Sequence, residues 1–202
     1  MVETNIHLQI NLFNLECSEK CGLVFCNANC EKRKWHSTNE CNLIKKTGSI
    51  SLKTKSVSNW LLVFRCLLLK EHSPEKWKII EILESNSEEE SYKKQHLENY
   101  KINVISPLRI LFPNLMSKFS DDEVLKLCAQ LDSNSFRQGE WCRALFGGAS
   151  MLNHSCVPNA RVVFDTSGNV KVLSKCDIEI GDEITITYVS QLLGTWVKYI
   201  IV

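Results

Sequence analysis

Apolar positions change their spacing along this chain, and each change predicts a different kind of element. Near the start, Ile6, Leu8, Ile10 and Leu12 alternate with polar residues, which predicts a strand with one buried face. From about 58 to 132 the spacing is helical. The run SNWLLVFRCLLLKE predicts one strongly apolar helix. Ser73-Pro74 predicts an N-cap with proline in the first turn of a second helix, opening EKWKIIEILES. Ser120-Asp121-Asp122-Glu123 has the form of a capping box, and Val124, Leu127, Cys128 and Leu131 then fall on one helix face. After Ser133 the pattern shortens to strands. Arg161–Asp165 and Val170–Ser174 flank the turn residues Thr166-Ser167-Gly168-Asn169, which predicts a hairpin. Gly181-Asp182 breaks the chain before EITITY, where alternation puts Ile184, Ile186 and Tyr188 on one face and Thr185 and Thr187 on the other.

Composition narrows the class without naming a function. Residues 44–58 are rich in Lys, Ser and Thr with no apolar period, and they predict a linker. The acidic run Glu88–Glu90 reads as a solvated loop or helix start. A chain of 202 residues with 44% hydrophobic and 23% charged residues can bury one substantial core, or a core and a small satellite. A formal net charge of +1 gives no global field that would favour nucleic acid or an anionic membrane. No segment approaches the run of about 18 apolar residues needed for a membrane span. The N-terminus lacks the basic start and unbroken apolar run of a secretion signal. Ten cysteines in a chain without that signal point to a reducing compartment, where clustered thiols more often bind metal than pair as disulfides. The sequon Asn153-His154-Ser155 is read as a chance triplet, since nothing else in the chain points to secretion, and a disulfide-linked secreted domain is the remote alternative.

The cysteines are not evenly spread. In CSEKCGLVFCNANCEKRKWHSTNEC, the ligands Cys17, Cys21, Cys26, Cys30, His36 and Cys41 fall within 25 residues. Pairs three or four residues apart supply two corners of a tetrahedron from one local turn, which is the arrangement zinc prefers. The competing reading is a set of buried or surface thiols with an unrelated histidine. Six ligands are too many for one site and too few for two.

A second concentration of chemistry lies in NHSCVPN, residues 153–159. Pro158 restricts Val157 to extended geometry, and Asn153 and Asn159 each carry a donor and an acceptor. Composition alone leaves two readings open: an Asx-rich turn that satisfies its own backbone, or a loop that aims polar groups at a ligand.

The motif NHSCVPN, followed by IEIGDEITITY at 178–188, resembles the SET domain of protein lysine methyltransferases. The cluster at 17–41, with Cys21-Gly22, Cys26-x3-Cys30, Trp35 and His36-x4-Cys41, resembles the latter part of a MYND zinc finger. A MYND-like cluster ahead of a helical insert and a SET core is similar to the SET-and-MYND family, with its arthropod-type branch as one candidate. SDDEVLKLCAQLDSNSF and LFGGASMLNHSC strengthen that likeness. The resemblance implies an α+β fold and an S-adenosylmethionine-dependent protein-lysine N-methyltransferase acting on histone or non-histone protein. It implies cofactor contacts from Asn153, from His154 mainly through its backbone, and from Asn134. Tyr188 would stand at the methyl-transfer channel, while Ser155 and Asn159 hold the loop. In the finger, Cys17, Cys21, His36 and Cys41 would form the intact zinc site, with Cys26 and Cys30 half-coordinated. A finger of this kind presents a groove to peptides, often proline-rich ones.

The expected organisation is an N-terminal strand-like segment at 1–16, a finger at 17–41, a linker at 42–58, a helical insert at 59–132, a SET core at 133–190 and a tail at 191–202. The Gly-x-Gly strand, the first cysteine pair of the finger and the cysteine-rich segment after the core have no counterpart in the sequence. The expectation is therefore a family member trimmed at both ends, with Cys156 a free buried thiol. The expected partner is a protein or peptide lysine, with no nucleic acid and no membrane, for a monomer in the nucleus or cytoplasm. The alternative function is a catalytically inactive, zinc-binding interaction module.

Overall fold

The structure, a computed structural model, describes residues 15–25, 27–32, 34–48, 55–85, 96–138, 142–165 and 168–188. The alternating segment at 1–14, the acidic run and the tail lie outside these residues. The chain divides into two compact units, with the division between Ser133 and Asn134. Among the described residues, no helix is long and apolar enough to cross a membrane.

The first unit opens with the cysteine-rich segment. Two short antiparallel strands, β1 (Leu15–Glu16) and β2 (Val24–Phe25), are followed by the short helix α1 (Ala28–Glu31). Asn27 caps α1 by accepting from the Cys30 amide at 2.9 Å. A wide π-type turn, His36–Glu40, then runs into α2 (Cys41–Lys45). The long helix α3 (Lys55–His72) buries Trp60, Val63, Phe64, Cys66, Leu67 and Leu68. Residues 42–58 are therefore not simply a linker, since helix occupies both ends of that stretch. Lys and Ser do not disfavour helix strongly, and these two helices are set by their apolar or ligand-bearing neighbours rather than by local polarity.

Helix α4 (Pro74–Glu81) starts where Ser73-Pro74 predicts. Ser73 fills the cap position through its backbone: its carbonyl accepts from Trp77 at 3.1 Å, while its side chain makes no capping bond. Residues 96–100 form α5, which passes through a second wide turn, Lys101–Ile105, into α6 (Ser106–Leu111). The short α7 (Pro113–Met116) follows. The capping box forms as expected on α8 (Asp121–Asn134). The Ser120 hydroxyl accepts from the Glu123 amide at 3.2 Å, and Glu123 Oε2 accepts from the Ser120 amide at 2.9 Å. Val124, Leu127, Cys128 and Leu131 are all buried.

Aromatic packing joins these helices. Phe64 stacks on Phe112 at 4.3 Å, and Trp60 meets Phe112 edge-on at 5.9 Å. The buried amide of Gln130 donates to the carbonyls of Ile80 and Leu83, satisfying the free end of α4. Arg109 donates to the carbonyls of Met116 and Phe119 and pairs with Asp121, which closes the turn between α7 and α8.

The second unit is built from paired short strands. β3 (Phe136–Gln138) and β4 (Cys142–Ala144) pair antiparallel. β6 (Ala160–Phe164) and β7 (Val170–Ser174) form the predicted hairpin, in register from Ala160–Ser174 to Phe164–Val170. Gly168 adopts a positive φ of 77° beside that turn, and Asp165 Oδ1 accepts from the Asn169 amide at 2.9 Å. Phe136, Phe146 and Phe164 pack together at centroid distances of 5.9, 5.9 and 6.5 Å.

The remaining pair carries the site. β5 (Asn153–His154) lies parallel to β8 (Thr185–Ile186), matching Asn153 with Thr185 and His154 with Ile186. The expected strand at 183–188 is thus only two residues long. Ile186 is buried at 2% exposure, but Ile184 and Tyr188, assigned to the same face by alternation, are exposed at 42% and 48%. Alternation misplaces them because the regular pleat does not extend beyond the paired residues.

Candidate functional site

Two groups of chemically active side chains stand out, one in each unit. In the first, Cys17 and Cys21 sit on the turn between β1 and β2. His36 and Cys41 sit at the ends of the wide turn. Their four ligand atoms all lie within 4.8 Å of one another, and all four residues are buried. Cys17 Sγ is 3.7 Å from Cys41 Sγ and 3.4 Å from His36 Nε2, and Cys21 Sγ is 3.8 Å from the same nitrogen. Zinc bonds of about 2.3 Å to sulfur and about 2.0 Å to nitrogen give tetrahedral edges of about 3.8 Å and about 3.5 Å. These three separations lie within about 0.3 Å of those edges, so the donor set fits zinc in type and is close to it in size.

Local backbone geometry explains the H-x4-C spacing. In an ordinary α-helix, residues five apart point about 140° away from each other. The wide turn closes with the Cys41 amide donating to the His36 carbonyl, an i→i+5 bond. One extra residue in the turn brings i+5 back toward the face of i. Metal-free, the thiols are mutually opposed. Burial pushes Cys21 up to about 12 and also raises Cys41. Burial acts against ionisation of Cys17 too, but the His36 hydrogen bond brings it down to about 7. A divalent cation removes that conflict by taking the place of the thiol protons.

Cys30 is half-buried and is not among the four clustered ligands. Cys26 lies outside the described residues, so the expected half-coordinated pair has no described geometry. Two side chains that the spacing did not single out complete this centre. Glu40, fully buried, accepts from His36 Nδ1 at 3.2 Å, and Arg65 from α3 donates to both its oxygens at 2.7 and 3.0 Å. Burial works against the Glu40 charge, but His36 and the Arg65 guanidinium hold its carboxyl below the usual range. The His36-x3-Glu40 spacing was a usable signal; Arg65, 25 residues further on, carried none.

The second group surrounds β5 and β8. Asn159 acts as a clasp: its Nδ2 donates to the Glu183 carbonyl at 2.8 Å, and its Oδ1 accepts from the Thr185 amide at 2.8 Å. The Ser155 amide donates to the Ile186 carbonyl at 2.9 Å, and the Ser155 hydroxyl accepts from Val157. The loop thus satisfies its own backbone and also grips a distant strand of the same chain.

Asn153 is exposed, and its Nδ2 donates to Glu183 Oε1 at 2.5 Å. His154 Nδ1 accepts from the Tyr188 amide at 3.0 Å, which assigns the ring proton to Nε2 when the imidazole is neutral. That nitrogen is 3.4 Å from Cys156 Sγ. The Tyr188 hydroxyl donates to the Leu152 carbonyl at 2.6 Å, and its ring lies 5.3 Å from that of His154. Cys156 is exposed, contrary to the expectation of a buried thiol, because the Pro158 side of the loop turns inward instead. Asn134 ends α8 and contributes its carbonyl to the Ser150 hydroxyl at 2.8 Å. Glu183 and the Leu152 carbonyl are the partners that motif reading missed; Glu183 was visible only as part of GDEI.

A family model described as the SET domain matches residues 64–189, which run from the middle of α3 through α8 to both ends of the clasp. The chain belongs to the SET-domain family. Within it, this SET chain is 27% identical over 199 residues to a human protein named histone-lysine N-methyltransferase SMYD3, covering 89% of this chain and 43% of that protein. It is also 27% identical over 189 residues to a zebrafish (Danio rerio) protein named N-lysine methyltransferase SMYD2-B, covering 87% of this chain and 42% of that one. Both relatives are SET-and-MYND methyltransferases, the group to which the motifs point. This SET chain spans less than half the length of either.

Proposed function

We propose that this chain carries the cofactor and methyl-transfer edge of a protein-lysine N-methyltransferase, with S-adenosylmethionine as the methyl donor and one structural zinc in the finger. The observation that carries the reading is the parallel pairing of Asn153–His154 with Thr185–Ile186, which brings Tyr188 onto the asparagine loop. The residues there have the right chemistry for such a ligand. Asn153 commits its amide nitrogen to Glu183, and its carbonyl oxygen keeps the capacity to accept from a ligand ammonium. The His154–Tyr188 ring pair offers aromatic faces, which attract cationic groups.

When bound, S-adenosylmethionine supplies an activated methyl group on a sulfonium. The protein's work is then placement and electrostatics, with no covalent nucleophile needed. Tyr188 has one hydroxyl proton and directs it to Leu152. Toward a substrate, its oxygen can therefore only accept. An acceptor beside the transfer path orients a lysine amine through its N–H and favours partial positive charge on the moving methyl. Asn134, at the end of α8, is a further cofactor contact in this reading. In the finger, Cys17, Cys21, His36 and Cys41 would hold the zinc.

The partner is a protein or peptide lysine, with a proline-rich peptide as a second ligand at the finger. The protein acts as a monomer in the nucleus or cytoplasm. The direct test is isothermal calorimetry with S-adenosylmethionine, alongside transfer of a labelled methyl group to a lysine-rich protein mixture. Heat is expected with the natural sequence and none with Asn153→Ala. Tyr188→Phe should retain the heat and reduce transfer by about 100-fold, equivalent to about 2.7 kcal/mol of barrier. Absence of heat with the natural sequence sinks the enzyme reading and leaves a zinc-bound interaction module. Elemental analysis should give about one zinc per chain, and metal-free protein after reducing, chelator-free purification would refute the zinc assignment.

A further inference from the structure

The buried carboxylate of Glu40 has two neighbours of different kinds, and together they carry an inference beyond the zinc assignment on which it rests. One is the histidine of the metal cluster; the other is an arginine from the long helix. His36 faces the sulfurs with Nε2 and faces Glu40 with Nδ1. A carboxylate on Nδ1 fixes the ring's orientation, keeps the proton away from the ligand nitrogen and makes that nitrogen a better donor. Glu40 itself has no exposure to solvent. A carboxylate so placed needs a partner, because burying an unpaired charge costs several kcal/mol. Arg65 fills that need with two bonds, while its own side chain remains 40% exposed. Three thiolates with a divalent cation also leave the centre net negative, so Arg65 offsets the centre as well as Glu40.

We propose that Glu40 is the positioning residue of the metal centre and Arg65 its counterion, so that metal occupancy and the docking of α3 on the finger form one coupled equilibrium. The chain of contacts is continuous: Cys17 and Cys21 to His36, His36 to Glu40, Glu40 to Arg65. Other contacts seat the same elements. Phe25 packs edge-on against His36 at 4.8 Å, and Trp35 meets His72 of α3 at 6.5 Å. Metal binding that orders His36 therefore favours the Glu40 geometry that Arg65 recognises. By linkage, the docked helix must raise metal affinity by the same factor.

The experiment uses the full chain. Zinc affinity is measured by competition with a chromophoric chelator for the natural sequence, Glu40→Gln, Arg65→Met and Arg65→Lys. Amide hydrogen exchange over residues 60–68 is followed with zinc and after chelation. Glu40→Gln is expected to weaken zinc by about 10–100-fold. Arg65→Met should weaken it measurably. Arg65→Lys, which keeps the charge but loses the two-pronged fork, should fall between. Chelation should lower protection of α3 in the natural sequence, and Arg65→Met should abolish that metal-dependent difference. A purely structural arginine would lower protection equally with and without metal, and that result overturns the proposal. So does zinc affinity within about twofold of the natural value in both Glu40→Gln and Arg65→Met. Should Glu40→Gln fail to fold, the Arg65 variants and the exchange difference still decide it. If the natural sequence binds no zinc at all, the zinc assignment fails and the coupling with it.

Discussion

Asn159 offers a sharp test of how the site is held, because one side chain makes two bonds from the loop to the strand. Asn159→Ala removes the donor to the Glu183 carbonyl and the acceptor for the Thr185 amide. A neutral hydrogen bond contributes about 0.5–1.5 kcal/mol net. The Glu183 carbonyl is on the exposed side, where water can replace the lost donor, so it contributes toward the low end of that range. Thr185 is half-buried and contributes about 1 kcal/mol. The sum, about 1.5 kcal/mol, is about a tenfold change in the local opening equilibrium. Exchange of the Thr185 and Ile186 amides, read residue by residue by NMR, should accelerate by about that factor. Exchange of the β6–β7 hairpin should change little, since its register does not depend on Asn159. Asn159→Asp can still accept from Thr185 but cannot donate to Glu183 while ionised, so it should fall between the two. Unchanged Thr185 exchange in Asn159→Ala would refute the clasp and leave the β5–β8 pairing and the Tyr188 bonds to hold the loop.

Two further outcomes follow from the same geometry. Gly181 has a φ of 100°, with open space where a Cβ would sit, so Gly181→Ala should cost about 1–2 kcal/mol from backbone strain alone, read as faster exchange at β8. Glu123, in the capping box, is held below its ordinary 4.5 chiefly by the Ser120 amide and then by Lys70. A depressed carboxyl stabilises above the ordinary value and loses that contribution as the pH falls through its lowered one. The first turn of α8 should therefore fray below about pH 4.5 in the natural sequence, and in Glu123→Gln its exchange should be flat across that range once corrected for intrinsic rates.

Local chemistry was legible wherever partners are close in sequence. The capping box at Ser120 and the turn at Gly168 each involve residues three or four apart, and both formed where their residue types predict. The asparagine loop was legible as chemistry, though only the resemblance gave its distant partner, 24 to 26 residues away. Alternation failed at Ile184 and Tyr188 because it assumes a pleat that continues, and here the pairing stops after two residues. Cys156 was misjudged for a related reason. A thiol's usual burial is a composition average, and in this loop Pro158 takes the buried position instead. Residues 42–58 looked like a linker because a short helix that exists to seat Cys41 need not show an apolar period.

The cysteine-rich segment and the helices fall in one compact unit, and one contact that joins them is electrostatic. A small metal site can fold around its ion and remain independent only if the ion's ligands are oriented locally. His36 is oriented by Glu40, and Glu40 cannot stay charged in a buried position without a cation. None of the described residues of the finger supplies one to it; Lys45 pairs with Glu19 instead. Arg65 does, from the middle of α3. The finger and the helices therefore share one unit because a single buried carboxylate needs both. This orders the consequences of damage. Loss of a thiol ligand should empty the centre, whereas loss of Arg65 should leave the thiols intact and weaken both the metal and the docked helix. The two can be told apart by cobalt substitution: the sulfur-to-metal absorption should vanish with Cys41→Ser, and should persist in Arg65→Met once enough cobalt is added to fill the weakened site.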